Sequence, residues 1–229
     1  MHHAIMDIVE KIAGEITISA NPGITIKKWR EEFNISQMEL SKFMQVSPSV
    51  ISDYESGRRK SPGASSIKKI VNSLINIDEK RGGHIVRRYN SGIPSDALLD
   101  IKDYNHDISL EYILPKIRGK ACSQADIKRN IRGYTMIDGI KAILKFSYAD
   151  YTKLYGWSSQ RIIFITDVSY GRSPMIAVRA HPLKPAAVVY IKPENVDELA
   201  IKLSEIENIP LIKTDMDYKS IINIMNLFR

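Results

Sequence analysis

The sequence predicts a multidomain protein in which an N-terminal helical bundle precedes a mostly parallel α/β sheet domain. Residues 21–80 show the apolar spacing of short helices joined by tight turns. From about residue 131, short β-branched runs alternate with helical patterns, which is typical of βα units on a parallel sheet. Glycines and a proline interrupt the pattern early in the stretch 81–130. We therefore expect a helical domain over 1–80 (core 21–80), a connecting region over 81–130 and an α/β domain over 131–229.

The composition fits a folded globular chain. Of the 229 residues, 44% are apolar and 26% are charged, which is an ordinary globular balance. No apolar run approaches the roughly 18 residues of a membrane span, and the N-terminus lacks the pattern of a secretion signal. The single cysteine, Cys122, fits a reducing compartment, and the five histidines show no metal-ligand spacing. We expect a cytoplasmic protein with no membrane contact, no cofactor and no metal.

The positive charge is concentrated in one window. The chain carries a net charge of +7. Residues 57–90 contain nine basic residues against two acids. The nine are Arg58, Arg59, Lys60, Lys68, Lys69, Lys80, Arg81, Arg87 and Arg88. Such a window is either a solvated basic face or a surface for phosphates, so a nucleic-acid partner stays open.

Apolar spacing predicts the helices that precede and follow the centre of the bundle. A first helix is predicted over 4–14, with Gly14 ending it. Ile26, Trp29 and Phe33 indicate the next one. Ser61-Pro62 is expected to start a later helix. Its inward side chains are Ile67, Ile70, Val71 and Leu74.

The most specific pattern is a helix pair at residues 35–63, ISQMELSKFMQVSPSVISDYESGRRKSPG. Ser36 and Glu39 have the spacing of a capping box at the start of one helix. Ser47 caps the next helix, and Pro48 takes its first position, where a missing N–H costs nothing. Gly57 supplies its left-handed terminator. The spacing therefore predicts a helix-turn-helix inside the bundle.

This stretch resembles the lambda-repressor-type helix-turn-helix family, in its xenobiotic-response-element regulator branch, over roughly residues 21–80. The resemblance lies in four features of the helix pair. They are the Ser36-Gln37 opening of its first helix, the Val-Ser turn, the Ile-Ser-Asp-Tyr-Glu-Ser-Gly ending of its second helix and the basic tail. A helix-turn-helix reader followed by an α/β domain is also similar to archaeal regulators of this class. The resemblance implies a transcription regulator that binds a double-stranded DNA operator, usually palindromic, as a homodimer.

In that family the second helix of the pair, here about Ser47–Ser56, lies in the major groove. The residues implied in DNA binding are Gln37, Ser47, Pro48, Ser49, Ser52, Asp53, Arg58, Arg59 and Lys60. Gln37 matches the family's phosphate-contacting glutamine, and the three basic residues after the helix are expected on phosphates. Asp53 either accepts from a cytosine amino group or braces Arg58, and we favour bracing. Glu55 is expected to pair inside the domain with a neighbouring Arg or Lys.

The C-terminal part parses as strands joined by helices. Strands are predicted at Tyr134–Ile137, Ile162–Thr166, Ala187–Ile191 and Pro210–Lys213, and helices after Ser173-Pro174, over Pro193–Glu205 and over Tyr218–Leu227. The loop after the second strand holds Asp167, Gly171, Arg172 and Ser173. Since open α/β sheets bind ligands at the carboxyl ends of strands, and helix N-termini favour anions, we expect these four residues to bind a small anionic effector.

Two alternatives remain for this part. Asp167, Arg172, His181 and Lys184 can crowd one site, but no spacing among them defines a nucleophile and its base, so an enzyme is not expected. The C-terminal domain can also serve only for dimerisation. Its element order, with V-V-Y-I, then E-N-I-P-L-I-K-T-D and then a terminal helix, is similar at the level of the fold to the small α/β regulatory domains called DRTGG domains, which implies a sensory role.

Overall fold

The computed structural model describes residues 2–94, 96–156 and 158–228, with side chains from Ile8 onward. The chain divides into two compact units, Met1–Asn90 and Ser91–Arg229. The N-terminal unit is helical and the C-terminal unit is an α/β sheet domain, so the predicted fold class is confirmed.

The described part of the N-terminal unit folds into six helices around one apolar core. They are α1 (His2–Ile18), α2 (Pro22–Glu32), α3 (Gln37–Met44), α4 (Pro48–Glu55), α5 (Ala64–Lys80) and α6 (His84–Asn90). Trp29 from α2, Phe33 at its C-cap, Leu40 from α3 and Ile51 from α4 are all buried in this core. The predicted inward residues of α5 are buried with them.

Two helix ends differ from their prediction. Gly14 does not end α1, because the buried residues Ile12 and Ile16 lie on either side of it and the helix gains by continuing to Ile18. Likewise, α5 begins at Ala64 with Gly63 as its N-cap, and Ser61-Pro62 remains in the preceding loop.

The ends of the central helix pair follow the predicted chemistry in part. Ser36 Oγ accepts a hydrogen bond from the backbone N–H of Glu39, at 3.1 Å. The Glu39 carboxylate, however, accepts from the Arg81 guanidinium instead of completing the capping box. Gln45 ends α3 with a φ of 55°, in the left-handed region. Gly57 follows α4 with a φ of 76°, as predicted.

The described part of the C-terminal unit contains one six-stranded sheet. Its strands are β1 (Leu98–Ser109), β2 (Lys120–Ala121), β3 (Asn130–Asp138), β4 (Ile162–Thr166), β5 (Ala187–Ile191) and β6 (Leu211–Thr214). Its helices are α7 (Leu110–Ile113), α8 (Gly139–Lys145), α9 (Tyr148–Lys153), α10 (Arg172–Ala180), α11 (Glu198–Ile206) and α12 (Tyr218–Leu227). The spatial order is β1-β3-β4-β5-β6-β2, in which β3 to β6 are parallel and the two edge strands are antiparallel.

Both faces of this sheet are covered, which explains its continuous apolar strands. On β4, Ile162 and Phe164 point into a core shared with α7 and α12. The alternate residues Ile163 and Ile165 point into a second core shared with α8 to α11. The carboxyl ends of the four parallel strands therefore form one edge, from which the loops before α8 and α10 emerge.

The division between the units lies after Asn90, whereas the sequence predicted a connecting region over 81–130. Gly82 and Gly83, at φ 104° and 70°, form a tight turn between α5 and α6 within the first unit. The buried Asp78 carboxylate secures this turn by accepting from the backbone N–H groups of Ile85 and Val86. Farther on, 98–121 supply both edge strands and α7 to the second unit.

Within the described ranges, no helix combines the length and apolar character needed to span a bilayer. Nor do the described residues bring together three or more His, Cys, Asp or Glu side chains in a way that could hold a metal ion.

Candidate nucleic-acid interface

Helix α4 has one buried face and one face of short polar side chains. Ile51, Tyr54 and Glu55 point inward and are buried. Ser49, Ser52, Asp53 and Ser56 recur at the spacing of a single helical stripe, and none of them is buried. Such a stripe can approach a base edge closely because its side chains are short.

A buried network centred on Glu55 holds α4 in the bundle. The Glu55 side chain is 4% exposed and receives two hydrogen bonds from Arg30 of α2, Nε at 2.6 Å and Nη2 at 2.9 Å. Gln37 Nε2, at the start of α3, donates to the same carboxylate at 2.7 Å. Hydrogen bonding to Glu55 is also the main cause that raises the pKa of Arg30. Three helices thus share one carboxylate, and the expected internal pairing of Glu55 is found.

The structure brings the predicted contact residues at the start of α4 together. Ser47 is the N-cap and Pro48 the first helical residue, as predicted, and Ser49 follows; all three are exposed. The hydroxyl of Ser47 does not cap the backbone but shares a 2.7 Å hydrogen bond with Ser49 Oγ. Gln37 lies half-buried at the start of α3, with its amide nitrogen on Glu55.

The basic residues after α4 are exposed but differ in their contacts. Arg58 Nε donates to Asp53 Oδ1 at 2.7 Å, which is the favoured bracing interaction. The Arg59 guanidinium lies over the Tyr54 ring, 5.6 Å from its centroid. Farther along the basic window, Arg81 pairs with Glu39, and Arg88 pairs with Glu32 inside the unit. Part of the window therefore stabilises the bundle.

These features define a helix-turn-helix DNA-binding protein with an added α/β domain. The helix-turn-helix family model matches residues 26–75, which contain α3, α4 and most of α5.

Two archaeal relatives match nearly the whole chain. An uncharacterized HTH-type transcriptional regulator of Methanocaldococcus jannaschii is 46% identical over 228 residues, covering 95% of each chain. One of Archaeoglobus fulgidus is 44% identical over 219 residues, covering 94% of each. No solved structure matches significantly. The chain belongs to this family of HTH-type transcriptional regulators.

The loop between β4 and α10 is fixed by a close backbone–ring contact. Gly171 has a φ of 76° and is the N-cap of α10, so the helix begins at Arg172 and not after Ser173-Pro174. A Cβ at Gly171 would lie 2.0 Å from the Tyr190 ring. The Tyr190 hydroxyl donates to the Gly171 carbonyl at 2.6 Å. Burial raises the pKa of Tyr190, which keeps this donor protonated.

The four predicted effector residues line one cavity of about 390 Å³ at the carboxyl edge of the sheet. Asp197, the N-cap of α11, lines it too and pairs with Arg172 at 2.6 Å. The hydrogen bond from Arg172 lowers the pKa of Asp197. Asp197 lies 25 residues away from Arg172, so sequence proximity gave no sign of this pairing.

The cavity shares lining residues with a narrow apolar one of about 60 Å³. The shared residues are Gly139, Ile143, Ser173 and Pro174. The apolar cavity lies between the sheet and helices α8, α9 and α10, with Tyr151 and Tyr155 among its walls. The cavity that carries Arg172 therefore borders an apolar slot, and small-molecule sites commonly combine apolar walls with a few polar groups.

The four residues weighed as an enzyme site do not come together. Asp167 and Arg172 lie near the start of α10, whereas His181 and Lys184 follow its end. A nine-residue helix is roughly 13 Å long. His181 stacks on Tyr155, and Lys184 donates to the backbone oxygens of Val178 and Arg179. Both therefore have packing roles.

Proposed function

We propose that the protein binds an operator as a homodimer, with α4 in the major groove and Pro48 and Ser49 at base edges. The observation that carries this proposal is the exposed polar stripe of α4, whose opposite face is held by the buried Glu55 network. In helix-turn-helix proteins the N-terminal residues of the second helix contact bases. Arg59 and Lys60 are both exposed and supply charge for phosphates. A two-fold dimer would select a palindromic site.

Operator selection followed by titration of the full-length protein tests this docking. Ser49→Trp should abolish binding to the selected duplex without unfolding the protein, because the bulky ring blocks entry into the groove. Asn76→Trp, at an exposed position of α5, is the control and should bind normally. Arg59→Ala with Lys60→Ala should weaken binding to all sequences alike, and the salt slope should shallow by roughly one per lost phosphate contact. Normal operator binding by a folded Ser49→Trp variant would contradict the proposal.

We also propose that the C-terminal unit senses a small anionic effector at Asp167, Gly171, Arg172 and Ser173. The first residues of α10 line the cavity, helix N-termini present backbone N–H groups that favour anions, and Arg172 adds a charged fork. The Arg172–Asp197 pair is solvent-screened, since 59% of the Arg172 side chain is exposed. Asp197 would keep the Leu199 N–H, at 2.8 Å, if a ligand anion took its place on Arg172.

The neighbouring apolar slot favours an effector with a hydrocarbon or aromatic body behind its anionic group. The β5–α11–β6–α12 order is also that of the proposed DRTGG-like regulatory domain and supports a sensory role.

Thermal shift with a panel of anionic metabolites, nucleotides included, tests the effector site. Some anions of the panel are expected to stabilise the wild type. For any such anion, Arg172→Ala should lower the affinity roughly 10- to 150-fold. It should leave operator binding by the free protein unchanged. Arg179→Ala, which removes a similar exposed pair with Glu207 at the other end of α10, should respond like the wild type. An unaltered response of Arg172→Ala would place the effector elsewhere, and no response of the wild type would favour a role in dimerisation alone.

A further inference from the structure

The Arg58 side chain folds back onto the exposed stripe of α4 instead of extending along the chain. Gly57, in the left-handed conformation, reverses the backbone, and the Arg59 N–H closes the turn on the Asp53 carbonyl at 3.0 Å. Arg58 Nε then donates to Asp53 Oδ1 at 2.7 Å, and its Nη2 lies 3.5 Å from Ser52 Oγ. The guanidinium therefore lies beside Ser52 and Asp53, on the stripe that also carries Ser49.

This contact leaves the far edge of the guanidinium free to bind. A guanidinium presents its donors in a rigid plane, and Asp53 takes the donor nearest the chain. The terminal nitrogen Nη2 lies 3.5 Å from Ser52 Oγ, and 66% of the Arg58 side chain is exposed, so solvent reaches the edge formed by the two terminal nitrogens. A pair of parallel donors on an arginine matches the O6 and N7 acceptors of guanine in the major groove.

The bracing also changes the electrostatics of the stripe. A lone Asp53 carboxylate facing DNA would repel phosphates, and its pairing with Arg58 cancels that charge. The Arg59 guanidinium, in contrast, lies over the Tyr54 ring and not against Asp53. The two neighbouring arginines are thus placed for different tasks.

We propose that Arg58 reads a guanine in each operator half-site, and that Asp53 is the positioning residue that holds it there. The inference rests on the proposed docking of α4 in the major groove. It differs from the phosphate contact that the sequence implied for Arg58. The outward face of α4 consists mostly of serines, which discriminate bases weakly. The proposal therefore assigns most of the base specificity to the Arg58 guanidinium.

The test compares base preference with salt dependence in the full-length protein. An operator is selected from random duplexes, and duplexes carrying each base at each position are titrated by fluorescence anisotropy at several salt concentrations. In the double variant Asp53→Ala, Arg58→Ala the net charge is unchanged. It should keep the salt slope and the affinity for non-specific DNA, yet lose about 5- to 150-fold of discrimination at one G·C pair per half-site. Arg58→Lys should lose the same preference, because it keeps the charge but not the fork.

Single variants separate the roles of the two residues. Asp53→Ala should bind non-specific DNA at least as tightly as the wild type while its guanine preference falls, a combination that simple loss of structure cannot produce. Arg59→Ala should lower the salt slope and leave every base preference intact. Thermal unfolding checks that each variant is folded.

Three results would overturn the inference. The first is a double variant that retains the G·C preference. The second is a double variant whose salt slope shallows by about one, as loss of a phosphate contact requires. The third is an Arg58→Ala protein that keeps the preference while Asp53→Ala loses it, which would mean that Asp53 reads cytosine directly. A wild type that selects no sequence would instead refute the proposed docking of α4 itself.

Discussion

A single carboxylate, Glu55 of α4, joins three helices of the N-terminal unit through hydrogen bonds from Arg30 of α2 and Gln37 of α3. Its two oxygens receive hydrogen bonds from Arg30 and Gln37, and the guanidinium of Arg30 also donates to the Ile35 carbonyl at 2.8 Å. A buried ion pair of this kind adds little net stability over apolar residues of the same size, but losing one partner leaves a buried charge uncompensated. The orientation of α4 therefore depends strongly on one residue of its buried face.

We expect Glu55→Ala to lower the free energy of unfolding of the N-terminal unit by about 3–5 kcal/mol, because Arg30 would remain buried without its counter-charge. Urea denaturation followed by circular dichroism measures this change. Glu31→Ala is the control, since the Glu31 carboxylate is exposed and lies 3.9 Å from Lys27 and 3.7 Å from Arg30, farther than the hydrogen-bonded Glu55. It should cost less than about 1 kcal/mol. Equal effects of the two substitutions would refute the role given to Glu55.

At this scale, sequence reasoning succeeds where partners are near in the chain. Asp53 and Arg58 are five residues apart around a helix end, so their pairing was predicted. An internal partner for Glu55 was also predicted, but Arg30 lies 25 residues away on another helix, and only the packing of α2 against α4 identifies it. The Arg172–Asp197 pair escaped prediction for the same reason.

Among the helices, local packing decides whether replacing a glycine by alanine raises or lowers the stability. Gly14 lies within α1 and a Cβ there would meet nothing within 4 Å. A Cβ at Gly23 of α2 would instead lie 2.0 Å from the Tyr54 carbonyl oxygen of α4. The same substitution should therefore have opposite effects at these two sites.

We expect Gly14→Ala to stabilise the N-terminal unit by about 0.5–1 kcal/mol, through reduced backbone entropy in the unfolded chain. Gly23→Ala should destabilise it by about 1–3 kcal/mol, because backbone must move to admit the methyl group. Thermal or urea unfolding of the two variants checks the signs. Stabilisation by both substitutions would show that α2 and α4 are not in close contact.

The strands show which elements a sequence specifies. The predicted strands correspond closely to β3, β4, β5 and β6, because strands buried on both faces are continuous apolar runs. Strand β1 was not predicted. It is an edge strand whose register shifts twice against β3, and its alternation is interrupted by the buried polar residue Asp100 and by three successive exposed residues over 105–107. The cavity beside α10 depends on how several such elements pack, so only its loop was predictable.

For the whole molecule, the division after Asn90 has a consequence for truncation. Helix α6 buries Ile85 and Val86 in the core of the first unit, and its start is held by Asp78. Each buried side chain of this size contributes about 1.5–3 kcal/mol. Their sum, about 3–6 kcal/mol, is a large fraction of the total stability of a small domain, about 5–15 kcal/mol.

We expect a fragment of residues 1–90 to fold cooperatively and a fragment of residues 1–80 to be largely unfolded or much less stable. Circular dichroism during heating distinguishes the two. A fragment of residues 1–100 serves as control and should unfold at the same temperature as 1–90, since the added residues belong to the second unit. Equal stability of the 1–80 and 1–90 fragments would restore the boundary expected from the sequence.

The position of β2 at the edge of the sheet, paired with β6, determines when all six strands can be assembled during synthesis. Lys120 pairs with Lys213, and the Thr214 hydroxyl donates to the Ile117 carbonyl, so the partner of this segment is made some 90 residues later. At translation rates of about 5–20 residues per second, that interval lasts roughly 5–20 s. The helical unit, complete by Asn90, can fold on the ribosome meanwhile. The apolar strands β3 to β5 must wait, so a nascent chain is most in need of a chaperone while this sheet lacks its last strand.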